Sequence, residues 1–215
     1  VTLKSSLKHI LSYDVRDDHI FPTCGSIVQF TTELAGLGGD VGFFKNDVFT
    51  QLNYTLIKDC VMQASCNAGI LNSLGNDWKL GLMDMYYLGG PLSLRGFRMR
   101  GIGPHSEGDA LGSTWFWGAG LHFYTPLPFR PGKGGFGELF RTHLFANFGN
   151  IGNFDSDESL FDKVSSNIRV AYGIGLTMRL GQMARIEINY CFPHQFQETD
   201  ITQSGVQFGL GVQFL

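Results

Sequence analysis

Five segments of the chain alternate between apolar residues and polar or small residues with a period of two. In residues 168–180 every even-numbered position is apolar, from Ile168 to Leu180, and every odd-numbered position is arginine, alanine, glycine or threonine. Successive side chains of a β-strand point to opposite faces, so this pattern predicts strands with one apolar face. The same pattern occurs in residues 114–123, 141–149, 184–192 and 205–214.

The apolar faces of these segments carry no charged residue, and their arginines and glutamate lie on the opposite face. A charge facing lipid at the midplane of a transmembrane barrel costs about 2–4 kcal/mol, so barrel sequences avoid it. A soluble β-sandwich also alternates, because its apolar faces meet in a core. Long strands, aromatic residues at strand ends and scarce lysine on the polar face favour the transmembrane barrel. No run of about 18 apolar residues predicts a transmembrane helix.

The connections between the predicted strands are short on one rim and long on the other. Residues 181–183 form a three-residue turn, which keeps Leu180 and Ala184 on the same face. The connections 150–165 and 193–203 are longer. One rim of short turns and one of long loops is typical of transmembrane barrels.

The first third of the chain alternates less strictly. Strands are predicted in residues 7–13, 28–34, 48–54 and, more weakly, 60–70. The total is about nine antiparallel strands, whereas bacterial single-chain barrels have an even number. We therefore expect an all-β chain that forms the C-terminal portion of a transmembrane antiparallel barrel.

The composition agrees with this prediction and excludes several functions. Charged residues make up 16% of the chain, aromatic residues 13%, and there are 29 glycines. The formal net charge of -3 argues against a nucleic-acid-binding surface. The four cysteines have no metal-ligand spacing and are interpreted as free thiols. His122 and His143 could share the lumen, but two histidines alone rarely form a metal site, so neither a metal nor another cofactor is predicted.

A connection of about forty residues, approximately 72–110, follows the fourth predicted strand. It contains the sequence Leu94-Arg95-Gly96-Phe97, in which a forked cation stands beside glycine and an aromatic ring. Connections of this length are uncommon without a function. We expect this loop to carry the functional site.

Several motifs resemble those of the BamA-type outer-membrane insertase superfamily. Leu94-Arg95-Gly96-Phe97 resembles its "[V/I/L]-R-G-F" loop motif, and Phe21-Pro22-Thr23 before Gly25 resembles its "F-P-T-x-G" turn. Residues 121–130 and 134–143 resemble the mitochondrial branch, the barrel core subunit of the sorting and assembly machinery. The resemblance covers essentially the whole chain in the family's order.

The resemblance implies a barrel of roughly sixteen strands, preceded by POTRA modules, with the loop folded into the lumen. The upstream strands and the POTRA region are absent from this sequence. In bacterial members, acidic residues of the barrel wall contact the motif arginine. Aligning the strands by face puts His122 and Asn147 at those positions, so we expect Arg95 to bind neutral acceptors and carbonyls.

Glycines recur on the predicted lumenal face. Glycine inside a strand often marks close backbone approach, so these positions could floor a recess for the loop tip 94–97. Alternatively, they relieve crowding inside the barrel or permit curvature. The residues concerned are Gly118, Gly120, Gly173, Gly175, Gly209 and Gly211.

The last predicted strand fits the pattern polar-x-Gly-x-x-hydrophobic-x-hydrophobic of the β-signal of barrel clients. In the family that the chain resembles, this strand pairs weakly with the first strand and forms a lateral gate. The resemblance implies that the gate residues here are Gly205, Gln207, Gly209, Val212 and Phe214. An unpaired strand edge is a template for another strand, which is the physical basis of such a gate.

The resemblance therefore implies a non-enzymatic insertase for β-barrel precursors in the mitochondrial outer membrane. Expected partners are unfolded precursors, accessory subunits, membrane lipids and inner-membrane contact-site proteins. A secretion or import pore of the same superfamily and a membrane scaffold at contact sites are the alternatives.

Overall fold

The structure is a computed structural model that describes residues 3–57, 59–75, 78, 80–127, 135–154 and 164–215. Nine long strands form one antiparallel sheet in the order β1-β2-β3-β4-β7-β8-β9-β10-β11. They are β1 (Ser6–Asp14), β2 (Gly25–Ala35), β3 (Phe43–Ile57), β4 (Cys60–Ser73), β7 (Trp115–Pro126), β8 (Phe140–Gly152), β9 (Arg169–Leu180), β10 (Ala184–Gln195) and β11 (Gly205–Gly211).

Each long strand pairs with its neighbours in chain order, so the sheet is an up-and-down meander. The prediction of about nine antiparallel strands is confirmed. Among the described residues β1 and β11 are the two edges and do not pair with each other. No helix in this part of the chain is long and apolar enough to cross a membrane.

Exposure of the two faces distinguishes the barrel from the sandwich. On β11 the apolar Phe208 is 69% exposed, whereas the adjacent polar Gln207 is 3% exposed. The same inversion holds on β10, where Ile188 is exposed while Glu187 and Asn189 are buried. A sandwich would bury its apolar face, so this arrangement is that of a wall with lipid outside and a polar interior.

The interior is filled by the connection between β4 and β7. This connection carries the two-residue strands β5 (His105–Ser106) and β6 (Asp109–Ala110) and packs on one face of the sheet, called the inner face below. The apolar cluster on that face joins Leu88, Leu94 and Phe97 of the connection to Phe43 and Ile151 of the wall. The connection is therefore an ordered, buried part of the fold.

The predicted register of the β9–β10 turn is confirmed, because Leu180 pairs with Ala184. The strand predicted in residues 7–13 is confirmed as β1, which is exposed on both faces. One prediction of side-chain direction is wrong. Phe214 is 1% exposed rather than lipid-facing. β11 ends at Gly211, and a residue outside the ladder no longer follows the period of two.

Candidate functional site

The loop motif reaches the inner wall through a tight turn. The backbone N–H of Gly90 donates to the carbonyl of Leu94 (3.2 Å), and the Ser93 hydroxyl accepts from the N–H of Gly89 (3.1 Å). Gly96 has φ +85°, and a β-carbon there would stand 3.0 Å from the Ala171 β-carbon on β9. Glycine is therefore required where the motif passes against the wall.

Arg95 is fully buried, and its guanidinium contacts three acceptors. Nη2 and Nε donate to Oε2 of Glu187 on β10, at 2.7 and 3.2 Å. Nη1 donates to the Leu215 main-chain oxygen (2.6 Å) and to Oδ1 of Asn147 on β8 (3.2 Å). The fork thus joins one carboxylate to an amide oxygen and a main-chain oxygen.

The expectation for the acceptors of Arg95 was incomplete. Asn147 and the Leu215 main-chain oxygen accept from it, but an acid, Glu187, does so as well. His122 does not bond Arg95; its Nε2 lies 2.9 Å from the Leu215 main-chain oxygen instead. Arg95 is therefore ion-paired, and its anion lies on β10.

Glu187 lies between two arginines. Arg185 Nε is 3.0 Å from Glu187 Oε1, in an ionic contact without hydrogen-bond geometry, while Asn189 donates to Oε2 at 3.0 Å. All of these side chains are buried. A buried charge that loses its partner costs about 3–5 kcal/mol, so the two carboxylate oxygens hold this cluster together.

Aromatic rings cover both arginines. Arg95 lies 5.1 Å from the Phe145 ring and 5.6 Å from the Phe214 ring, measured to the centroids, and Arg185 lies 4.3 Å from that of Phe214. Such cation–π contacts are strongest where water is excluded. Phe214 therefore lies inside the site.

Strand β11 binds the loop directly through Gln207. The Gln207 amide accepts from the N–H of Gly96 (3.0 Å) and donates to the carbonyl of Phe97 (2.9 Å). Phe97 also forms a β-bridge with Thr202. The structure thus brings together the loop motif and a candidate gate residue.

Four of the inner-face glycines face residues 214–215 rather than the loop tip. A β-carbon at Gly118 or Gly120 would stand 2.7 or 2.8 Å from Leu215. One at Gly209 or Gly211 would stand 3.0 or 3.5 Å from the Phe214 ring. The hypothesis that these glycines form a recess for residues 94–97 is therefore wrong about the residues that fill it. Pro91 and Leu92 of the loop would also lie close to β-carbons at Gly209 and Gly211.

Gly173 and Gly175 agree with the alternative hypothesis, in which the glycines relieve crowding inside the barrel. A β-carbon at Gly173 would meet the Phe145 ring at 2.6 Å, and one at Gly175 would overlap the His143 ring and the Asn189 amide oxygen. These two glycines make room for wall side chains. Of the remaining candidates, Gly205 begins β11 with φ +95°, and Val212 is 54% exposed on the outer surface.

The sequence reasoning missed Arg185, Glu187, Asn189 and His143 as members of the site. The first three lie at alternate positions of one strand, and this run of polar residues on the inner face was the available signal. His143 Nε2 contacts Asn189 Oδ1 at 2.7 Å, and its Nδ1 lies 3.3 Å from that of His122. Among the described residues no group of three metal-ligating side chains converges. All four cysteines are free thiols.

A second ion pair fixes the connection between β10 and β11. Arg169 donates from Nε to Asp200 Oδ2 (2.8 Å), and the opposite oxygen of Asp200 accepts from the N–H of Gly103 (3.1 Å). This carboxylate therefore joins the rim connection to both the wall and the loop.

Comparison with curated proteins identifies close relatives. The chain is 50% identical over 218 residues to the Sorting and assembly machinery component 50 homolog of Homo sapiens and to that of Bos taurus, and the match covers 100% of this chain and 46% of each relative. A SAM50-like protein of Schizosaccharomyces pombe is 35% identical over 221 residues, with coverage of 100% and 45%. The chain spans about half the length of these relatives.

A solved structure shares the fold. The crystal structure of BamA from Haemophilus ducreyi lacking POTRA domains 1-3 superposes with a TM-score of 0.79 at 20% identity, over 96% of this chain and 42% of that one. The family model of the Omp85 superfamily domain matches residues 1–214. The resemblance predicted from the loop and turn motifs is confirmed, and the chain belongs to the Omp85 superfamily.

Proposed function

We propose that this chain is the C-terminal part of a mitochondrial outer-membrane barrel of about sixteen strands, preceded by POTRA modules, which inserts β-barrel precursors into that membrane. The observation that carries the proposal is the environment of β11. Its outer face is apolar and exposed, and Gln207 on its inner face binds the loop motif. The names of the 50%-identical relatives support an assembly role.

The edge of β11 that lies away from β10 supplies the proposed mechanism. Seven residue pairs join β11 to β10, from Gly211 opposite Arg185 to Gly205 opposite Cys191. An edge strand presents backbone N–H and C=O groups that template another strand. A precursor strand added there by β-augmentation enters lipid with its backbone already hydrogen-bonded, which avoids several kcal/mol per exposed group.

Templating requires no covalent step, so the proposed activity is non-enzymatic and uses no cofactor. Its partners are unfolded β-barrel precursors, accessory subunits of the assembly machinery, membrane lipids and contact-site proteins of the inner membrane. Insertion is favoured over a secretion pore because the loop is packed rather than open. Leu88, Leu94 and Phe97 are buried against the wall, and Arg95 is bonded to it.

Import into isolated mitochondria tests the proposal. After depletion of the full-length protein, assembly of a porin precursor should be lost while insertion of a helical outer-membrane protein continues. Retained porin assembly contradicts the proposal, and loss of protein export with intact assembly supports the pore.

A crosslinking experiment tests the place of templating. A photocrosslinker at Phe208 on β11 should capture the last strand of an arriving precursor. The matched control is Phe30 on β2, which is also exposed on the outer face but lies away from the β11 edge. Equal capture at both positions contradicts a role for the β11 edge.

A further inference from the structure

Residues 212–215, called the closing segment below, leave the sheet and enter the interior. Val212 is still half-exposed on the outer surface, but Phe214 and Leu215 are buried against the inner wall. The N–H of Leu215 donates to the carbonyl of Leu92 in the loop (3.1 Å). The segment is thus bound to the loop rather than to a strand.

Three donors converge on one main-chain oxygen at the end of this segment. Arg95 Nη1, His122 Nε2 and Asn147 Nδ2 lie 2.6, 2.9 and 3.3 Å from the Leu215 oxygen. These donors come from the loop, from β7 and from β8, and all three side chains are buried. Three contacts from three different elements fix the position of this oxygen against the inner wall.

The walls of the recess match the segment. Gly118 and Gly120 admit the Leu215 side chain and its main chain, and Gly209 and Gly211 admit the Phe214 ring. The two arginines of the Glu187 cluster lie over that same ring. The recess therefore matches the closing segment in shape as well as in hydrogen bonding.

We propose that Arg95, His122 and Asn147 form a latch that holds the closing segment inside the barrel and so sets the length of the gate edge. With the latch closed, β11 offers seven residues for pairing, Gly205–Gly211. Released and extended, the closing segment adds four residues to that edge, a length of about 13 Å. The inference rests on the proposed function and deepens it, because the loop motif then controls how strongly the gate strand can pair.

The latch also gives the loop motif a role in insertion. Gln207 binds the loop within the strand, and the latch binds the residues beyond it. Displacement of the loop breaks both sets of contacts at once. An arriving precursor strand therefore meets a short edge while the loop is docked and a longer edge once it is displaced.

Distance measurements in the full-length protein in lipid nanodiscs test the latch without any precursor present. Spin labels are placed at positions 213 and 144 through unnatural amino acids, because four native cysteines are free thiols. Gln213 belongs to the closing segment, and Leu144 is exposed on the outer face of β8. The wild type should show one distance population.

His122→Leu removes one donor, and Phe214→Ala removes the ring from the recess without changing the wall. Each should produce a second population displaced on the order of 10 Å, because four extended residues span about 13 Å. His122→Gln keeps an N–H donor near the same place and should retain the wild-type distances. Leu210→Ala, at an exposed position of β11, is the matched control and should also leave them unchanged.

Wild-type distances in both His122→Leu and Phe214→Ala overturn the latch. A released segment with unchanged porin assembly overturns its coupling to the gate. The proposed function and the latch can fail separately. If the wild-type protein inserts no precursor while the two controls keep the wild-type distances, the proposed function is contradicted and the latch geometry is not.

Discussion

Arg95 and Glu187 are 92 residues apart in sequence and form a fully buried ion pair, with Nη2 2.7 Å from Oε2. The pair joins the loop between β4 and β7 to β10, so its loss should release the loop. Glu187→Gln leaves two buried arginines without their anion and should lower the free energy of unfolding by about 3–5 kcal/mol. Urea unfolding of the full-length protein in detergent, followed by its gel mobility, measures the change.

The control for this variant is Glu33→Gln. Glu33 pairs with Lys4 at 2.9 Å, but both side chains are partly exposed. A pair of that kind contributes about 0–1 kcal/mol. Equal loss of stability in the two variants would contradict a special role for the buried cluster.

Gln207→Leu should undock the loop without removing a charge. It leaves the N–H of Gly96 and the carbonyl of Phe97 buried without partners, at about 1–3 kcal/mol for each group. Trypsin should then cleave faster after Arg98 or Arg100, which follow the motif. Phe208→Leu changes the adjacent exposed position and should leave the cleavage rate unchanged.

Gly96→Ala should destabilise the docked loop for two reasons. The left-handed backbone costs an L-residue about 1–2 kcal/mol, and the new methyl group would press on the Ala171 β-carbon. Gly181→Ala, which is also left-handed but open to space, should cost only the first part. Ala171→Gly should partly restore the stability of Gly96→Ala, and failure of this rescue would show that the contact with β9 is unimportant.

The β1–β2 rim turn should loosen in acid. Burial alone raises the pKa of Asp18, but backbone hydrogen bonds from Phe21 and Ile20 and the charge of Arg179 outweigh it, so the pKa lies below its ordinary value. A carboxyl whose pKa is lowered by folding stabilises the fold above its unfolded pKa of about 4, and this contribution is lost as the pH falls through the folded pKa. The protection of the Ile20 and Phe21 amides against hydrogen exchange, relative to their intrinsic exchange rates, should decrease over that range. In Asp18→Asn this protection should be low at every pH. A pH profile of protection that is the same in this variant as in the wild type would contradict the assignment.

The alternation of the sequence was sufficient to predict the sheet and its two environments. It assigned Gln207 and Phe208 to opposite faces because both lie within the ladder. It failed at Phe214, because a period of two places a residue only while the residue remains hydrogen-bonded in the sheet.

The partners of Arg95 could be predicted only in part. Asn147 was found because its strand and face follow from the pattern. Glu187 was missed because the long arginine side chain spans from β8 to β10, and no local pattern encodes which strands a buried guanidinium bridges. The packing of Phe214 and Leu215 against the inner-face glycines was missed for a related reason. A contact between a glycine and a residue of a distant segment produces no periodic pattern in the sequence.

The bond from Arg95 to Leu215 connects residues 120 positions apart. Contacts of such long range form late, because the entropy of closing the intervening chain must be overcome first. A shortened chain that stops before residue 215 can still form its hairpins and the Arg95–Glu187 pair, but this arginine then has one acceptor fewer. Docking of the loop is therefore expected to follow the formation of the hairpins that lie between residues 95 and 215.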